Sequence, residues 1–172
     1  MQWLVLIYTL PPEPTRKRAF IWRELKKLGA VYLRDGVCVL PDQPATRQAM
    51  QALVERVRTF DGQATLVETS RMDELTATEV AGQSVAARGA EYAALRESAS
   101  QFLDHVRREL RHRDFSASEA ETLMEDLRKL RRWFEQIRAR DYFVADGGAE
   151  AHVALTECES TIGDIRVGVA TR

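Results

Sequence analysis

The segment VYLRDGVCVL, residues 31–40, places an Asp-Gly pair between two runs of β-forming residues. An Asp-Gly pair in this position is the strongest short signal for a β-hairpin, because glycine adopts the positive φ that a tight turn needs. An isolated hairpin is only marginally stable in water and needs more strands or a helix against its apolar face. The flanking sequence is therefore expected to supply the rest of a sheet.

Segments on both sides of this hairpin complete the pattern of a small sheet with two helices. The opening run WLVLIYTL is apolar on both faces, as in a central strand, and QATLVE supplies a fourth strand. One helix is predicted from an N-cap at Thr15 to Gly29, and another from Pro44 to Gly62. The order βαββαβ predicts a ferredoxin-like domain over residues 1–70, with two helices on one face of an antiparallel sheet.

The rest of the chain is predicted to be mainly helical. Residues 71–88 contain few large apolar side chains and are predicted to form a partly helical linker. Two long helices follow, because apolar residues recur at helical spacing. These residues are Tyr92, Leu95, Ala99, Phe102, Val106 and Leu110, then Leu123, Leu127, Leu130, Phe134 and Ile137. Ser116 and Glu119 form a capping-box signature between them, so residues 89–163 are predicted to form a long antiparallel helical hairpin with a short terminal helix at 149–162.

The composition agrees with an α+β globular protein of one or two domains. The 172 residues are 45% hydrophobic and 30% charged, which is ordinary for a folded chain. The net charge of -1 hides an uneven distribution: residues 1–71 contain 11 Lys and Arg against 7 Asp and Glu, whereas the remainder has 14 against 19. The excess of positive charge therefore belongs to the first domain.

The cysteines and the apolar start indicate the compartment. Cys38 and Cys158 have no metal-binding spacing and are too few for a disulfide framework, so a reducing cytoplasm is expected. Cys38 lies in a strand and is predicted to be in the core, whereas Cys158 is predicted to be more open. The run WLVLIYTL is too short for a membrane helix and lacks the basic leader of a signal peptide. No membrane partner is expected.

The first predicted helix begins with three cations, which is the opposite of what a helix N-terminus favours. The free amides and the dipole at a helix start attract anions and repel cations. At 100° per residue, this helix presents an apolar side with Ile21, Leu25 and Leu28, and Trp22 lies at its border. The opposite side is cationic. It carries Arg16, Arg23, Lys26 and Lys27, with Phe20 among them. With the other two cations of the first turn, the predicted DNA-binding or anion-binding residues are Arg16, Lys17, Arg18, Arg23, Lys26 and Lys27.

Three interpretations of this cationic side stay open. A DNA backbone would contact the whole stripe of cations, because phosphates repeat along the strand. A small oxyanion such as phosphate would use only the free amides and cations of the first turn. A solvated surface face needs no ligand at all, since helices rich in Lys and Arg are common on protein surfaces. The spacing of the residues does not choose among them.

Other constellations indicate structure rather than chemistry. His105 and His112 are seven residues apart, which does not suit two metal ligands on one helix, so no metal site is predicted. No nucleophile elbow, P-loop or dinucleotide motif occurs, so no catalytic residue and no cofactor is predicted. The hairpin cations alternate with acids, which predicts salt-bridged exposed faces, with a second DNA contact as the alternative. These cations are Arg107, Arg108, Arg111, Arg113, Lys129, Arg131, Arg132, Arg138 and Arg140.

A long run of the sequence resembles a known family. The run WLVLIYTLPPEPTRKRAFIWRELKKLGAVYLRDGVCVLPD resembles the start of the ChrB family, bacterial regulators of chromate resistance, and the similarity continues through EYAAL and FEQIRARDYF. The resemblance covers positions 1 to about 145. It implies a cytoplasmic transcription regulator that binds DNA and responds to chromate, a tetrahedral dianion. Full-length members carry a further C-terminal domain, so chromate sensing is expected to be lost or moved to another protein in a chain ending at Arg172.

The first domain is also similar to the Cas2 nucleases and to a part of the PaaX repressors. Cas2 nucleases hold a metal with an aspartate at the end of the first strand, where this sequence has Tyr8 and Thr9, so no enzymatic activity is expected. The hypothesis is a ChrB-like transcriptional regulator, or its DNA-binding fragment, that forms a homodimer. The alternative is a non-enzymatic sensor of an oxyanion such as chromate or phosphate, or a dimeric scaffold module.

Overall fold

The computed structural model describes the backbone of residues 1–111 and 117–170, and the side chains of residues 1–111 and 118–163. The chain divides into two units, Met1–Ser84 and the residues from Val85 onward. This division falls inside the segment predicted as a partly helical linker. In the structure that segment is helical from Glu74 onward. Its Ala, Glu and Gln residues favour a helix, but it lacks the stripe of large apolar residues by which a helix is recognised in a sequence.

The first unit contains the predicted βαββαβ order. Its elements are β1 (Trp3–Thr9), α1 (Thr15–Lys27), β2 (Val31–Arg34), β3 (Val37–Pro41), α2 (Pro44–Thr59) and β4 (Gln63–Thr69). The four strands form one antiparallel sheet in the order β2-β3-β1-β4. The strand β1 is therefore central, as its two apolar faces predicted, and the ferredoxin-like fold is confirmed.

The Asp-Gly turn between β2 and β3 has the predicted geometry. Gly36 has a φ of 71°, and its carbonyl accepts a hydrogen bond of 2.7 Å from the Tyr8 amide on β1. A Cβ atom at this position would lie 2.4 Å from the Tyr8 carbonyl oxygen. Glycine is needed here both for the backbone angle and for the close approach to β1.

The two faces of the sheet differ in how much apolar surface they bury. On one face Leu4 and Leu6 pair with Leu40 and Cys38, and all four are fully buried beneath α1 and α2. The helices contribute Ile21 and Leu25 from α1 and Met50, Leu53, Val54 and Val57 from α2, as the spacing predicted. On the second face Trp3 and Val39 are buried, whereas three apolar side chains are exposed. These are Ile7, Leu33 and Val67.

The second unit is built from three helices. They are α3 (Glu74–Arg111), which begins in the first unit, α4 (Ala117–Arg138) and α5 (Gly148–Ala170). The rings of Tyr92 on α3 and Phe134 on α4 are 6.1 Å apart, while Phe102 and Leu130 line a shared groove farther along. The two helices therefore run antiparallel, as the hairpin prediction requires. Ser116, the first residue of the predicted capping box, lies outside the described residues.

The terminal helix is longer than the sequence indicated, and it forms part of the core of the second unit. Helix α5 extends to Ala170 rather than ending near 162, and it contributes Ala151, Leu155, Cys158 and Ile162 to the same core as α3 and α4. The expectation that Cys158 is more open was wrong, because its thiol is fully buried and donates a hydrogen bond of 3.6 Å to the Ala99 carbonyl. Burial raises the pKa of Cys158 to about 11. Cys38 is in the core as predicted, and burial raises its pKa to about 12.

Candidate nucleic-acid interface

Helix α1 separates its apolar residues from most of its cationic residues. Ile21 and Leu25 are fully buried, and Arg16, Arg23, Lys26 and Lys27 lie on the opposite side of the helix, while Lys17 and Arg18 flank the buried side. Lys17 is partly buried, while the other five predicted cations are exposed: Arg16, Arg18, Arg23, Lys26 and Lys27. The helix contains one acidic residue, Glu24. The structure therefore places five of the six predicted residues on the exposed surface of α1, and we call all six together the α1 cation stripe.

The start of α1 differs from the start of α2. The N-cap of α1 is Pro14 rather than the predicted Thr15, and no side chain caps the helix. Proline has the extended conformation that an N-cap requires but offers no side-chain acceptor. At α2, by contrast, Gln43 and Thr46 form a capping box, and the Thr46 hydroxyl donates to the Pro41 carbonyl at 2.7 Å. The first turn of α1 is thus cationic and uncapped.

Two of the six predicted cations already have partners. The Lys17 ammonium is 3.0 Å from the Asp61 carboxylate and donates to the Phe60 carbonyl at 3.4 Å. The Lys27 ammonium is 2.7 Å from the Glu24 carboxylate. Lys17 therefore belongs to the contact between α1 and the end of α2, and only two of the three cations in the first turn face solvent without a carboxylate.

Three arginines of the stripe are unpaired. Arg16, Arg18 and Arg23 form no ion pair with any residue in the described parts of the chain. Lys26 has no carboxylate partner there either, and its ammonium lies 5.0 Å from the centre of the Trp22 ring. Exposed guanidinium groups without acids are available to an external anion, and guanidinium geometry suits phosphate.

Beside the stripe lie Phe20 and Trp22, which the helical spacing had placed there, and Phe60 and Arg56, which no sequence pattern had indicated. Arg56 of α2 lies over Phe20 at 5.7 Å and over Phe60 at 5.8 Å, and the two rings meet edge to face. Phe20 and Arg56 also line a groove of about 300 Å³ between α1 and α2. Trp22 was placed at the border of the apolar side, but it is 49% exposed. The spacing of Arg56 and Phe60 by four residues could have indicated their contact, whereas no local pattern indicates the contact between Arg56 and Phe20.

The end of β1 holds a pair of tyrosines where the Cas2 nucleases hold an aspartate. The hydroxyl groups of Tyr8 and Tyr32 are 3.0 Å apart. Burial raises the pKa of Tyr8, and burial together with the Tyr8 hydroxyl raises the pKa of Tyr32. Both groups therefore stay protonated at neutral pH, and a protonated phenol is a poor metal ligand.

The basic residues of α4 are paired with acids, as the interleaved pattern predicted, whereas Arg108 and Arg111 on α3 form no ion pair within the described residues. On α4, Arg128 and Arg132 both contact Glu125, at 2.5 and 3.0 Å. The remaining cations of α4 also have carboxylate partners. The pairs are Lys129 with Asp126, Arg131 with Glu159, and Arg138 with Glu135. Arg113 and His112 lie outside the described residues, and His105 is 3.7 Å from Glu109.

A protected charge cluster joins the two ends of the helical hairpin. Glu91 on α3 accepts Arg88 at 3.0 Å and Arg140 at 3.0 Å. Beside it the Tyr92 hydroxyl donates to the Asp141 carboxylate at 3.2 Å. Arg88 is only 6% exposed, and its Nε–H has no hydrogen-bond acceptor among the described residues. The segments EYAAL and FEQIRARDYF, which carry part of the family resemblance, therefore meet at this cluster.

The described residues contain neither a metal-binding cluster nor a membrane-spanning helix. No group of three or more His, Cys, Asp or Glu side chains that could hold a metal ion occurs among residues 1–111 and 117–170. Over the same residues, none of the helices combines the length and the apolar character needed to cross a bilayer.

Comparison with known proteins agrees with the resemblance seen in the sequence. Residues 18–169 match the family described as Protein ChrB, N-terminal, which covers most of the chain. Protein ChrB of Cupriavidus metallidurans (strain ATCC 43123 / DSM 2839 / NBRC 102507 / CH34) is 27% identical over 161 residues. The match covers 93% of this chain but 46% of that relative, so the chain spans about half the length of the curated protein. The chain belongs to the family of the N-terminal region of protein ChrB.

Proposed function

We propose that this chain is a ChrB-like transcriptional regulator of chromate resistance, or the DNA-binding part of one, and that the α1 cation stripe contacts DNA phosphates. The observation that carries this proposal is the set of unpaired arginines Arg16, Arg18 and Arg23. Phosphate contacts of this kind fix the position of a protein on DNA and supply much of its affinity without reading the base sequence.

The shape of the stripe favours DNA over a small anion. From Arg16 to Lys27 the cations follow α1 for about 16 Å, at 1.5 Å per residue, which suits the repeated phosphates of a DNA strand. A closed pocket at the first turn of α1 would instead favour the binding of a small oxyanion. Lys17 is bound to Asp61, so the first turn offers less charge to such an anion than its sequence suggests.

The proposed role is not enzymatic. The paired hydroxyl groups of Tyr8 and Tyr32 occupy the strand end at which a nuclease would need a carboxylate for its metal. The cysteines Cys38 and Cys158 are both free and buried, which supports action in the reducing cytoplasm.

Salt-dependent binding to a short DNA duplex tests the proposal. Replacing Arg18 and Arg23 together by Ala should lower the slope of log affinity against log salt by about one unit for each lost phosphate contact. The matched control replaces Arg128 and Arg132 on α4, which are also exposed but are paired with Glu125. The control should bind as tightly as the unmodified chain, because neither residue is part of the stripe.

A single substitution at Lys27 tests whether an ion pair within α1 reduces the contribution of a cation to DNA binding. Lys27→Ala should have a smaller effect than Arg23→Ala, because Lys27 is already partnered by Glu24. Equal affinity and equal salt slope for the stripe variant and the unmodified chain would remove the stripe from the interface. Equal losses in the stripe and α4 variants would indicate a dependence on net charge alone.

The alternative of an oxyanion sensor rests on the uncapped start of α1 and is tested on the same protein. Chromate, sulfate or phosphate would raise the melting temperature above that in chloride at equal ionic strength, and Arg16→Glu would remove the difference. The alternative of a dimeric scaffold rests on the exposed side chains of Ile7, Leu33 and Val67. It requires a dimer mass in light scattering and no affinity for DNA, whereas the proposed regulator requires DNA binding in either oligomeric state.

A further inference from the structure

Trp22 is an exposed aromatic residue within the α1 cation stripe. It follows Arg18 and precedes Lys26 by one helical turn each, so the three side chains form one row along α1. Arg23 is the next residue in the chain. The other two tryptophans of the protein differ from it: Trp3 is 5% exposed, and Trp133 packs against the core of the second unit. An apolar ring of this size in water is a candidate contact for a ligand.

The contacts of Trp22 leave much of its ring available. The Lys26 ammonium lies 5.0 Å from the ring centre. Within the described residues the indole makes no hydrogen bond and packs against no other aromatic ring. The ring is therefore held beside a cation while about half of its surface faces solvent. A cation over the ring also leaves it able to stack on a second flat group.

The charges around Trp22 select the kind of partner. Arg18, Arg23 and Lys26 have no carboxylate partner in the described chain, so the surroundings of the ring are strongly positive. A second copy of this chain docked on the same surface would place like charges against each other, which is unfavourable. A nucleic acid can contact both the ring and the cations, because its bases present flat π faces and its phosphates lie at short intervals along the strand.

We propose that Trp22 stacks on an unpaired DNA base while Arg18 and Arg23 hold the neighbouring phosphates. This rests on the proposed function, since it uses the same cation stripe, and it adds a preference for single-stranded DNA. In a duplex each base face is covered by its neighbours, so the ring has no free base to contact. Stacking on aromatic side chains is the usual source of affinity for unpaired bases, and it tolerates any base sequence.

Tryptophan fluorescence and binding to a thymidine oligonucleotide of about 12 residues test this proposal. Trp22→Ala should weaken binding to the single strand by about 5-fold to 100-fold and should change binding to a duplex of equal length by less than about twofold. Trp22→Phe should retain most of the affinity because a phenyl ring also stacks. The matched control is Leu75→Ala, which removes an exposed apolar side chain from α3 and should leave both affinities unchanged.

Tryptophan fluorescence shows directly whether Trp22 contacts the oligonucleotide. Binding of the oligonucleotide should quench fluorescence in the unmodified chain and in Trp133→Phe, and the quenching should be lost in Trp22→Phe. Unchanged affinity of Trp22→Ala for the single strand, or quenching that persists in Trp22→Phe, would overturn the proposal. If those results occur while duplex binding still depends on Arg18 and Arg23, the proposed function stands. Absence of binding to either form of DNA by the unmodified chain would overturn both.

Discussion

Helices α1 and α4 are both rich in basic residues, but they use them differently. Helix α1 has six cations and one acid, and three of its arginines have no ion-pair partner in the described chain. Helix α4 has five cations and five acids, and every one of its cations contacts a carboxylate. The number of cations is nearly the same. What separates a surface open to an external anion from a self-neutralised surface is the supply of acids at neighbouring positions.

The charge cluster on Glu91 shows a third use of arginine, which is structural. Glu125 on α4 and Glu91 on α3 each accept two arginines. The partners of Glu125 are exposed, whereas Arg88 and Arg140 are largely withdrawn from water. Withdrawn guanidinium groups depend on their acceptor, because an unpaired charge away from water is costly. Removing the acid should therefore lower the stability of the fold more at Glu91, whose arginines are sheltered, than at Glu125, whose arginines are exposed.

The largest effect is expected from Glu91→Gln. This change leaves two sheltered guanidinium groups without their carboxylate, and it should lower the free energy of unfolding by about 2 to 4 kcal/mol, somewhat below the full value for a buried pair because Glu91 is 28% exposed. Urea unfolding followed by circular dichroism measures the change. The matched control is Glu125→Gln, which also removes the acceptor of two arginines and should have a much smaller effect. Equal losses at the two sites would mean that burial does not distinguish them.

A smaller effect with a defined pH dependence is expected from Tyr92→Phe. The lost hydrogen bond to the Asp141 carboxylate should lower the free energy of unfolding by about 1 to 2 kcal/mol at neutral pH. Burial and the charge of Asp141 raise the pKa of Tyr92 from 10.0 to about 12. The folded state therefore holds this proton more tightly than the unfolded state, so the contribution is fully present below pH 10 and is lost as the pH rises to about 12.

Unfolding measured on both sides of that pH range checks the sign of this prediction. The advantage of the unmodified chain over Tyr92→Phe should be constant below pH 10 and should shrink above it. Tyr8→Phe provides a comparison in the first unit, because the Tyr8 hydroxyl meets the neutral Tyr32 hydroxyl rather than a carboxylate. Its effect at neutral pH should be smaller. An advantage of Tyr92 that grows with pH would show that the hydroxyl is not the source of the stability.

Local patterns in the sequence predicted most of the fold. The Asp35-Gly36 turn, the apolar spacing of α1 and α2, and the interleaved charges of α4 all depend on residues that are close along the chain. The predicted N-cap at Thr15 was wrong by one residue, because proline can occupy an N-cap without capping it. The extent of α5 was underestimated, since the residues after 162 carry no regular apolar pattern.

Contacts between distant residues account for what the sequence did not predict at the candidate site. Lys17 was grouped with Arg16 and Arg18, but its partner Asp61 is 44 positions away. The Glu91 cluster joins residues 49 positions apart, and no local spacing indicates such a pair. Trp22 lies at the edge of an apolar stripe, where a rotation of the helix by a fraction of a turn decides between burial and exposure. In each case the deciding information is tertiary.

The smallest effect is expected from Asp61→Asn, and it tests whether pairing alone separates Lys17 from the α1 cation stripe. Asp61 has a φ of 62°, which asparagine adopts as readily, so the backbone should not change. Stability should fall by about 0.5 kcal/mol or less, because the ion pair with Lys17 is exposed on the Asp61 side. Releasing Lys17 should raise affinity for a DNA duplex by about twofold to threefold and steepen its salt dependence by less than one unit. The matched control is Asp35→Asn, which removes the same charge from an exposed turn, keeps a favourable Asn-Gly turn and releases no cation of α1. A gain in affinity with Asp61→Asn that exceeds the gain with Asp35→Asn would identify the released ammonium as the cause, whereas equal gains would show that only net charge changed.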